Sequence, residues 1–147
     1  MLFRSVRNHI CALVSQKRCF NMCVSSNINY DYVIFIRPDV FIKDKLPYKQ
    51  IFESNIFNYN TIFVPNTEWY EGYNDRFAIT TFNHGMWYSH RVNEIANFRK
   101  NNGRIVSEKY VKYIVDKYYK IVPIYFPFEL IRSNESHKVI KIGRAHV

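Results

Sequence analysis

An apolar run that ends in an arginine, a proline and an aspartate is the feature that most constrains this chain. No polar residue interrupts Val33 to Ile36, and such a run is typical of a strand buried on both faces in a parallel sheet. Pro38 lacks the amide that a central strand must donate, so we predict that the strand ends there. Arg37 and Asp39 should then lie just beyond its carboxyl end, where open α/β sheets bind ligands.

Strand and helix patterns alternate along the rest of the chain. The predicted strands are 33–36, 61–64, 77–82, 121–126 and 129–133, and the predicted helices are 6–24, 48–57, 83–98 and 107–118. Asn83 and Ser107 are the expected N-caps of the last two helices, and Gly103 is an expected left-handed stop. This alternation predicts an α/β fold, with the two proline-associated final strands at edge positions.

Composition is that of one modest folded domain, which we place at residues 6–140. The chain has 147 residues, 48% of them hydrophobic, and this is enough apolar material for a core. It has no apolar run of membrane-spanning length and no signal-peptide pattern, and its three cysteines do not suggest a disulfide framework, so we expect a cytoplasmic protein. The net charge of +9 is spread along the chain without a nucleic-acid-binding signature, so we expect no nucleic-acid partner.

Four short segments of the chain form an ordered set of motifs. They are Asp-Tyr with an apolar strand and Arg-Pro-Asp at 31–39, Asn-Asp-Arg-Phe-Ala-Ile at 74–79, Ser-Glu-Lys-Tyr at 107–110 and Ile-Arg-Ser at 131–133. In these segments the chain resembles a group of GT-A-like glycosyltransferase-like proteins of giant viruses and bacteria. Their order covers roughly residues 16 to 133. This chain departs from the group at Phe35, where a second arginine is common, and at Thr80, where a glycine is common.

The resemblance implies an incomplete GT-A-like mixed sheet flanked by helices. It also implies transfer of a sugar from a nucleotide-sugar donor to a glycan or other acceptor. Arg37 and Asp39 are then the donor-binding residues. Asp39 is the ligand of a divalent manganese or magnesium ion or of the donor ribose, and Arg37 either contacts phosphate or holds the Asp39 loop in place. The first carboxylate of an Asp-x-Asp pair would lie at position 37, which is arginine in this chain. A reaction that needs no metal ion therefore stays open. The alternative interpretation is an Arg-Asp pair that only caps the strand end.

An aromatic loop before the third strand is the predicted acceptor site. Its predicted substrate contacts are Trp69, Tyr70, Asn74 and Arg76. Aromatic faces beside polar groups suit sugars, and Asp75 is a candidate general base. Glu108 is a second catalytic candidate. Asp75 can equally be a turn aspartate that binds backbone amides, and Glu108 can serve only the helix dipole. A noncatalytic carbohydrate- or nucleotide-binding module is therefore the alternative function.

Both ends of the chain look foreign to the protein. Residues 1–5 and 142–147 resemble a translated sequencing adapter, and we expect them to be non-native. An open reading frame with such ends is a fragment. Under the resemblance, the chain is then the C-terminal part of a larger glycosyltransferase domain whose nucleotide-binding half lies upstream. Nothing in the sequence indicates an oligomeric state.

Overall fold

The fold is known from a computed structural model that describes residues 2–53, 56 and 60–131, with side chains from residue 6 onward. Its elements in chain order are α1 (Leu2–Ser25), β1 (Tyr32–Ile36), β2 (Val40–Ile42), a π-helical turn (Lys49–Glu53), β3 (Thr61–Pro65), β4 (Phe77–Thr81), a 3-10 turn (Phe82–His84), α2 (Gly85–Ser89), a second 3-10 turn (Arg91–Glu94), α3 (Ile95–Asn102), α4 (Ser107–Tyr118), β5 (Lys120–Ile124) and β6 (Phe128–Leu130). Arg132, Ser133 and the C-terminal segment 142–147 lie outside the described residues.

The strands form two sheets within the described residues. The larger sheet has the order β1-β4-β3-β5, and the smaller one pairs β2 with β6. β4 is antiparallel to both β1 and β3, whereas β3 and β5 are parallel. The predicted α/β class with a mixed sheet flanked by helices is therefore confirmed. The position of β5 at the sheet edge also matches the prediction from its proline.

The predicted environment of the first strand is wrong. β1 is an edge strand, its neighbour β4 is antiparallel, and only one of its faces is covered. Phe35 is 7% exposed, whereas Ile34 and Ile36 are 47% and 45% exposed. The strand buried along its whole length is β3, which lies between β4 and β5. A local apolar run predicts a strand, but it does not predict how many other strands pair with it.

The predicted helix over 83–98 is wrong because it is divided. Asn83 lies inside a 3-10 turn, α2 spans only Gly85–Ser89, and a second 3-10 turn leads into α3. A Cβ at Gly85 would lie 2.7 Å from side-chain atoms of both Phe20 and Val33, so the chain approaches α1 and β1 closely at this point. The break sends the aromatic residues of α2 and α3 into different clusters of the core.

The ends of the last two helices are partly as predicted. Gly103 terminates α3 with a φ of 73° and donates its amide to the Arg99 carbonyl at 2.9 Å. The predicted cap of the following helix is displaced by one residue. Val106, with extended backbone, is the N-cap of α4, and Ser107 is its first helical residue. The Ser107 hydroxyl bonds the neighbouring Glu108 carboxylate instead of a backbone amide.

Two segments differ from the expected loop and helix. The chain after Asp39 was predicted as a loop, but Val40–Ile42 forms β2 and pairs with β6, a contact made with a distant part of the sequence. The predicted helix over 48–57 is described only in part, and there it is the π-helical turn Lys49–Glu53. The last two strands end earlier than predicted, at Ile124 and Leu130.

Within the described residues, the core consists of three clusters around the larger sheet. One lies between the sheet and the helices and contains Phe20, Phe35, Ile62, Val64, Tyr88, Val111 and Val115 among others. The second covers the opposite face with Ile51, Phe63, Phe77, Ile79, Ile124 and Phe126. The third joins α1 to α3 and α4 through Leu13, Phe98, Tyr110 and Ile114. Alternate residues of β3 and β4 enter opposite clusters, as the period of two in a strand requires.

The long first helix is amphipathic, as predicted, and Leu13 and Phe20 are its buried residues. Its three cysteines, Cys11, Cys19 and Cys23, are free. Across the described part of the chain, no helix combines the length and the apolar character needed to cross a membrane.

Candidate functional site

A turn at the end of β1 holds Arg37 and Asp39 side by side. The Val40 amide donates to the Arg37 carbonyl at 3.2 Å, which closes the turn. The guanidinium of Arg37 then donates twice to Asp39, from Nε to Oδ1 at 3.0 Å and from Nη2 to Oδ2 at 2.6 Å. Such a two-bond ion pair fixes both side chains. The structure thus places the two predicted donor residues just beyond the strand, as the proline implied.

Asp75 is the carboxylate that the fold adds to this pair. The Arg37 amide donates to the Arg76 carbonyl at 3.1 Å, so the residue before Arg76 lies beside the end of β1. The Arg37 Nη1 is 3.6 Å from Asp75 Oδ2. The Asp75 side chain is 8% exposed, and its Oδ1 has no hydrogen-bond partner among the described residues.

The surroundings of Asp75 make it a stronger base than an ordinary aspartate. Burial raises the pKa of its carboxyl, because the charged form loses water. The Arg37 guanidinium works in the opposite direction, and the Glu108 carboxylate raises the pKa further. A buried carboxylate with a raised pKa and an unpartnered oxygen has the properties of a proton acceptor or a ligand contact.

The aromatic loop exposes one ring to solvent and half-buries the other. Trp69 donates its indole N–H to the Pro65 carbonyl at 2.7 Å and meets the Tyr73 ring edge-on at 5.0 Å. Tyr70 is 63% exposed. Left-handed φ angles occur at Glu68 (55°), Tyr70 (39°) and Glu71 (67°), which are uncommon for residues with side chains. Of the two predicted stacking residues, Tyr70 is therefore the more exposed.

Asn74 and Arg76 are engaged in holding the loop. The Asn74 side chain is buried, donates to the Thr67 carbonyl at 2.9 Å and accepts from the Arg76 amide at 2.9 Å. The Arg76 guanidinium forms an ion pair with Glu68 and lies 5.9 Å from the centre of the Phe128 ring. Both predicted substrate contacts thus have partners within the protein and act on the shape of the site.

The amino end of α4 packs directly against the same loop. The Tyr73 amide donates to the Glu108 carbonyl at 3.0 Å. A Cβ at Gly72 would lie 2.1 Å from the Glu108 carbonyl carbon, so only glycine allows this approach. The Glu108 carboxylate accepts from the Ser107 hydroxyl at 2.9 Å and influences the pKa of both Arg37 and Asp75. The fold therefore brings Glu108 to the charged cluster at the end of β1.

Two further titratable side chains belong to this region and were not singled out from the sequence. His9 of α1 has a buried Nε2 without a hydrogen-bond partner among the described residues. Burial lowers its pKa to about 4, with Arg91 and Arg37 acting in the same direction and Glu108 opposing them. Arg91 is buried, donates to the Tyr88 carbonyl at 2.7 Å and lies 4.0 Å from the centre of that ring.

The sequence position of His9 indicates that its ring is buried. It lies three residues after Val6 and four before Leu13, which places a polar ring on the apolar stripe of the predicted helix. A histidine there must either find a partner or remain neutral. Arg91 carried no comparable signal, because the division of the helix around it was not predicted.

The residues around Asp39 do not fit the predicted divalent cation in this arrangement. Both carboxylate oxygens accept hydrogen bonds from Arg37, which neutralises the charge that a cation requires. Among the described residues, no group of three or more histidine, cysteine, aspartate or glutamate side chains is arranged to hold a metal ion.

Comparisons with protein-family models, with curated proteins and with solved structures find no match to this chain.

Proposed function

We propose that this chain is part of a glycosyltransferase that moves a sugar from a nucleotide-sugar donor to a hydroxyl of a glycan or other acceptor. The observation that carries the proposal is Asp75, a buried carboxylate that lies beside the Arg37 guanidinium and near the Ser107 hydroxyl and whose Oδ1 has no hydrogen-bond partner among the described residues. An acceptor hydroxyl supplies the donor that this oxygen lacks, and leaving such an oxygen unpaired is costly. The exposed ring of Tyr70 lies on the same loop and offers a stacking face for a sugar.

The roles of the residues follow from their charges and their hydrogen bonds. Asp75 accepts the acceptor proton while that hydroxyl oxygen bonds to the anomeric carbon and the bond to the diphosphate breaks. Arg37 turns its remaining N–H groups toward the departing diphosphate, whose negative charge grows during the reaction. Asp39 holds the guanidinium plane in place. Glu108 keeps the pKa of Asp75 raised and so preserves its basicity.

A noncatalytic carbohydrate- or nucleotide-binding module is the second candidate. The observation that favours it is the closed Arg37–Asp39 pair, which uses both oxygens of the carboxylate predicted to hold a metal ion. Such a module binds ligand through Arg37 and Tyr70 and needs no base. The two candidates therefore differ in what Asp75 does.

The test begins with calorimetric titration of the chain with uridine- and guanosine-diphosphate sugars, with and without manganese or magnesium. We expect Arg37→Gln to weaken donor binding at least about tenfold, because it removes a charge-assisted contact to phosphate. Arg99→Gln is the control, since Arg99 is an exposed arginine of α3. Absence of binding to every donor would rule out a nucleotide-sugar site in these residues.

Turnover then separates the enzyme from the binding module. Asp75→Asn should lower the rate of sugar transfer by a factor of about 100 or more while donor affinity stays within about twofold, as expected for loss of a general base. Asp44→Asn is the matched control, since Asp44 is an exposed aspartate that accepts from the amide of its neighbour Lys45. Donor binding without any transfer, with acceptor affinity lost in Asp75→Asn, would favour the binding module.

A further inference from the structure

Four buried polar atoms that have no hydrogen-bond partner among the described residues lie where α1, α2 and the end of β1 meet. They are His9 Nε2, Asp75 Oδ1, Tyr88 Oη and Arg91 Nε. Each buried donor or acceptor left unpaired costs about 1–3 kcal/mol. Four such atoms in one region therefore indicate a partner that is not part of this chain.

The contacts of Tyr88 bring three of these atoms together. Tyr88 is fully buried, its ring centre lies 4.9 Å from that of Phe35, and the Arg91 Cζ lies 4.0 Å from the same centre. Phe35 precedes Arg37 by two residues, and Arg37 Nη1 is 3.6 Å from Asp75 Oδ2. Burial raises the pKa of the Tyr88 hydroxyl, the Arg91 guanidinium lowers it, and the Asp75 carboxylate raises it further. Both charged groups are therefore close to that hydroxyl.

His9 joins the same group of atoms from α1. Its ring meets the Tyr110 ring edge-on at 6.3 Å, and the Tyr110 hydroxyl donates to the Arg91 carbonyl. Burial lowers the pKa of His9 to about 4, and the Arg91 guanidinium acts in the same direction. The ring is therefore neutral near pH 7, and its Nε2 can act as a donor or as an acceptor.

Arg91 is a buried cation whose contacts are to neutral groups. It is 4% exposed, and its Nη1 donates to the Gln16 side-chain oxygen and to the Tyr88 carbonyl. Neither acceptor carries a charge, and the Nε–H still lacks an acceptor. Buried arginines are almost always fully paired, so this N–H is the strongest unused donor of the region.

Exposure rises from these atoms toward the candidate site. The Arg37 side chain is 42% exposed and that of Asp75 is 8% exposed, whereas Tyr88 and Arg91 are buried. Ser107, whose hydroxyl is near the Asp75 carboxylate, is only half-buried. A ligand that enters beside Arg37 therefore meets Asp75 first and the deeper groups next.

The charges of the region favour an uncharged ligand. Three carboxylates, those of Asp39, Asp75 and Glu108, outnumber the guanidiniums of Arg37 and Arg91, so a further anion is repelled. An ammonium group has no lone pair and cannot accept the unused N–H of the arginine. A hydroxyl both donates and accepts, and it can thus complete a carboxylate oxygen and a guanidinium N–H in turn.

We propose that these four atoms bind the edge of an uncharged sugar through two neighbouring hydroxyl groups. One hydroxyl donates to Asp75 Oδ1, and the next accepts from Arg91 Nε. Tyr88 and His9 complete the hydrogen bonds of the two hydroxyls. The proposal names the acceptor class of the glycosyltransferase and rests on that proposed function only in making the hydroxyl at Asp75 the one that receives the sugar. Binding itself requires neither a donor nor transfer.

Titration of the chain with methyl glycosides, followed by nuclear magnetic resonance, is the primary test. The probes are the methyl glycosides of glucose, galactose and mannose and of the corresponding uronic acids. We expect at least one neutral hexoside to bind with a dissociation constant of about 1 mM, as suits so small a ligand. Its uronic acid counterpart should bind at least about tenfold more weakly, because the carboxylates repel it. Failure of every neutral hexoside to bind, or equal binding of the acid, overturns the proposal.

Tyr88→Phe is the variant that isolates the site, because it removes only an oxygen that has no partner in the protein. Its thermal midpoint should not fall, and the hexoside should bind at least about fivefold more weakly, as expected for one hydrogen bond. Tyr125→Phe, at an exposed tyrosine, is the matched control. Arg91→Lys keeps the charge but removes Nε, and it should weaken binding at least about tenfold. Undiminished binding in both site variants overturns the proposal.

The donor and transfer measurements on the same variants separate this proposal from the glycosyltransferase proposal. If sugar transfer occurs and the acceptor KM is unchanged in Tyr88→Phe and Arg91→Lys, the sugar site is wrong and the transferase stands. If hexoside binding depends on Tyr88 and Arg91 but no donor binds, the sugar site stands and the transferase is wrong. Circular dichroism establishes that each variant is folded.

Discussion

The two edges of the larger sheet are built in opposite ways. β1 has no charged residue and no proline, whereas β5 carries Lys120 and Pro123. The Lys120 amide donates to the Asn60 carbonyl at 2.9 Å, and the Asn66 amide donates to the Ile124 carbonyl at 2.8 Å. The backbone N–H and C=O groups of residues 120 and 124 therefore point toward β3, and those of residue 123 point away from the sheet. Proline has no N–H, so Pro123 removes a hydrogen-bond donor from this edge.

This difference shows where the sheet is closed and where it can accept another strand. A proline and a lysine on β5 block pairing at one edge. The edge at β1 has no such protection, and it ends directly in the Arg37–Asp39 pair of the candidate site. β1 therefore leads directly into that site, whereas β5 follows α4, whose amino end packs against the loop of the site.

The largest expected effect comes from the two faces of β1 itself. Phe35→Ala should lower the free energy of unfolding by about 3–5 kcal/mol, because it leaves a cavity in the core between sheet and helices. Ile34→Ala, one residue away on the open face, should cost less than about 1 kcal/mol. Urea unfolding at a concentration low enough to keep the chain monomeric measures both. Similar costs for the two substitutions would mean that the open face is covered in solution.

The second prediction concerns His9, near the charged end of β1. Its folded pKa of about 4 lies below the ordinary value of 6.5, so the folded state favours the neutral ring. The contribution of His9 to stability is therefore fully present above the unfolded pKa and is lost as pH falls from about 6.5 toward about 4, by an amount of about 3 kcal/mol. Urea unfolding midpoints across this range measure the loss.

His9→Gln is the variant that isolates this effect, because it keeps a polar side chain that does not titrate. It should remove most of the acid-side slope and leave the rest of the pH profile in place. If the stability of His9→Gln still falls with pH as steeply as that of the wild type, other groups cause the acid sensitivity. The region at the end of β1 would then not differ from the rest of the sheet in its pH dependence.

The smallest expected change in stability comes from opening the protected edge. Lys120→Thr combined with Pro123→Val should alter the free energy of unfolding by no more than about 1 kcal/mol, since both side chains are exposed. The double variant should associate more strongly with rising concentration than the wild type, because the edge at β5 has then lost its lysine and its proline. Sedimentation of both chains measures this, and a double variant that associates no more than the wild type would show that Lys120 and Pro123 are not what closes that edge.

The sequence predicted those elements whose pattern is local. β3, β4, α1 and α4 follow from short apolar runs or helical periodicity, and the stop at Gly103 follows from the freedom of glycine to adopt positive φ. The edge position of β1 was not predictable in this way. It depends on pairing with β4, a strand more than forty residues later in the chain, and β2 was missed for the same reason.

The candidate site was predictable to a similar extent. The arginine and the aspartate that follow β1 were correctly placed together, because only Pro38 separates them. The arrival of Asp75 beside them depends on the register of β1 against β4. The burial of Asn74 and the ion pair of Arg76 depend on how the loop folds back on itself, which no local pattern specified.

Gly72 packs the loop of the candidate site tightly against the start of α4. Since its backbone abuts the Glu108 carbonyl and no larger residue fits between them, the loop and the first turn of α4 move as one body. The Tyr73–Glu108 hydrogen bond joins them at the same point. A ligand that draws Asp75 toward itself must therefore displace the start of a twelve-residue helix, and the other end of that helix leads into the closed edge of the sheet. Binding of a ligand at the site would in this way tilt α4 slightly. A probe attached at the carboxyl end of α4, far from the ligand, would detect this tilt.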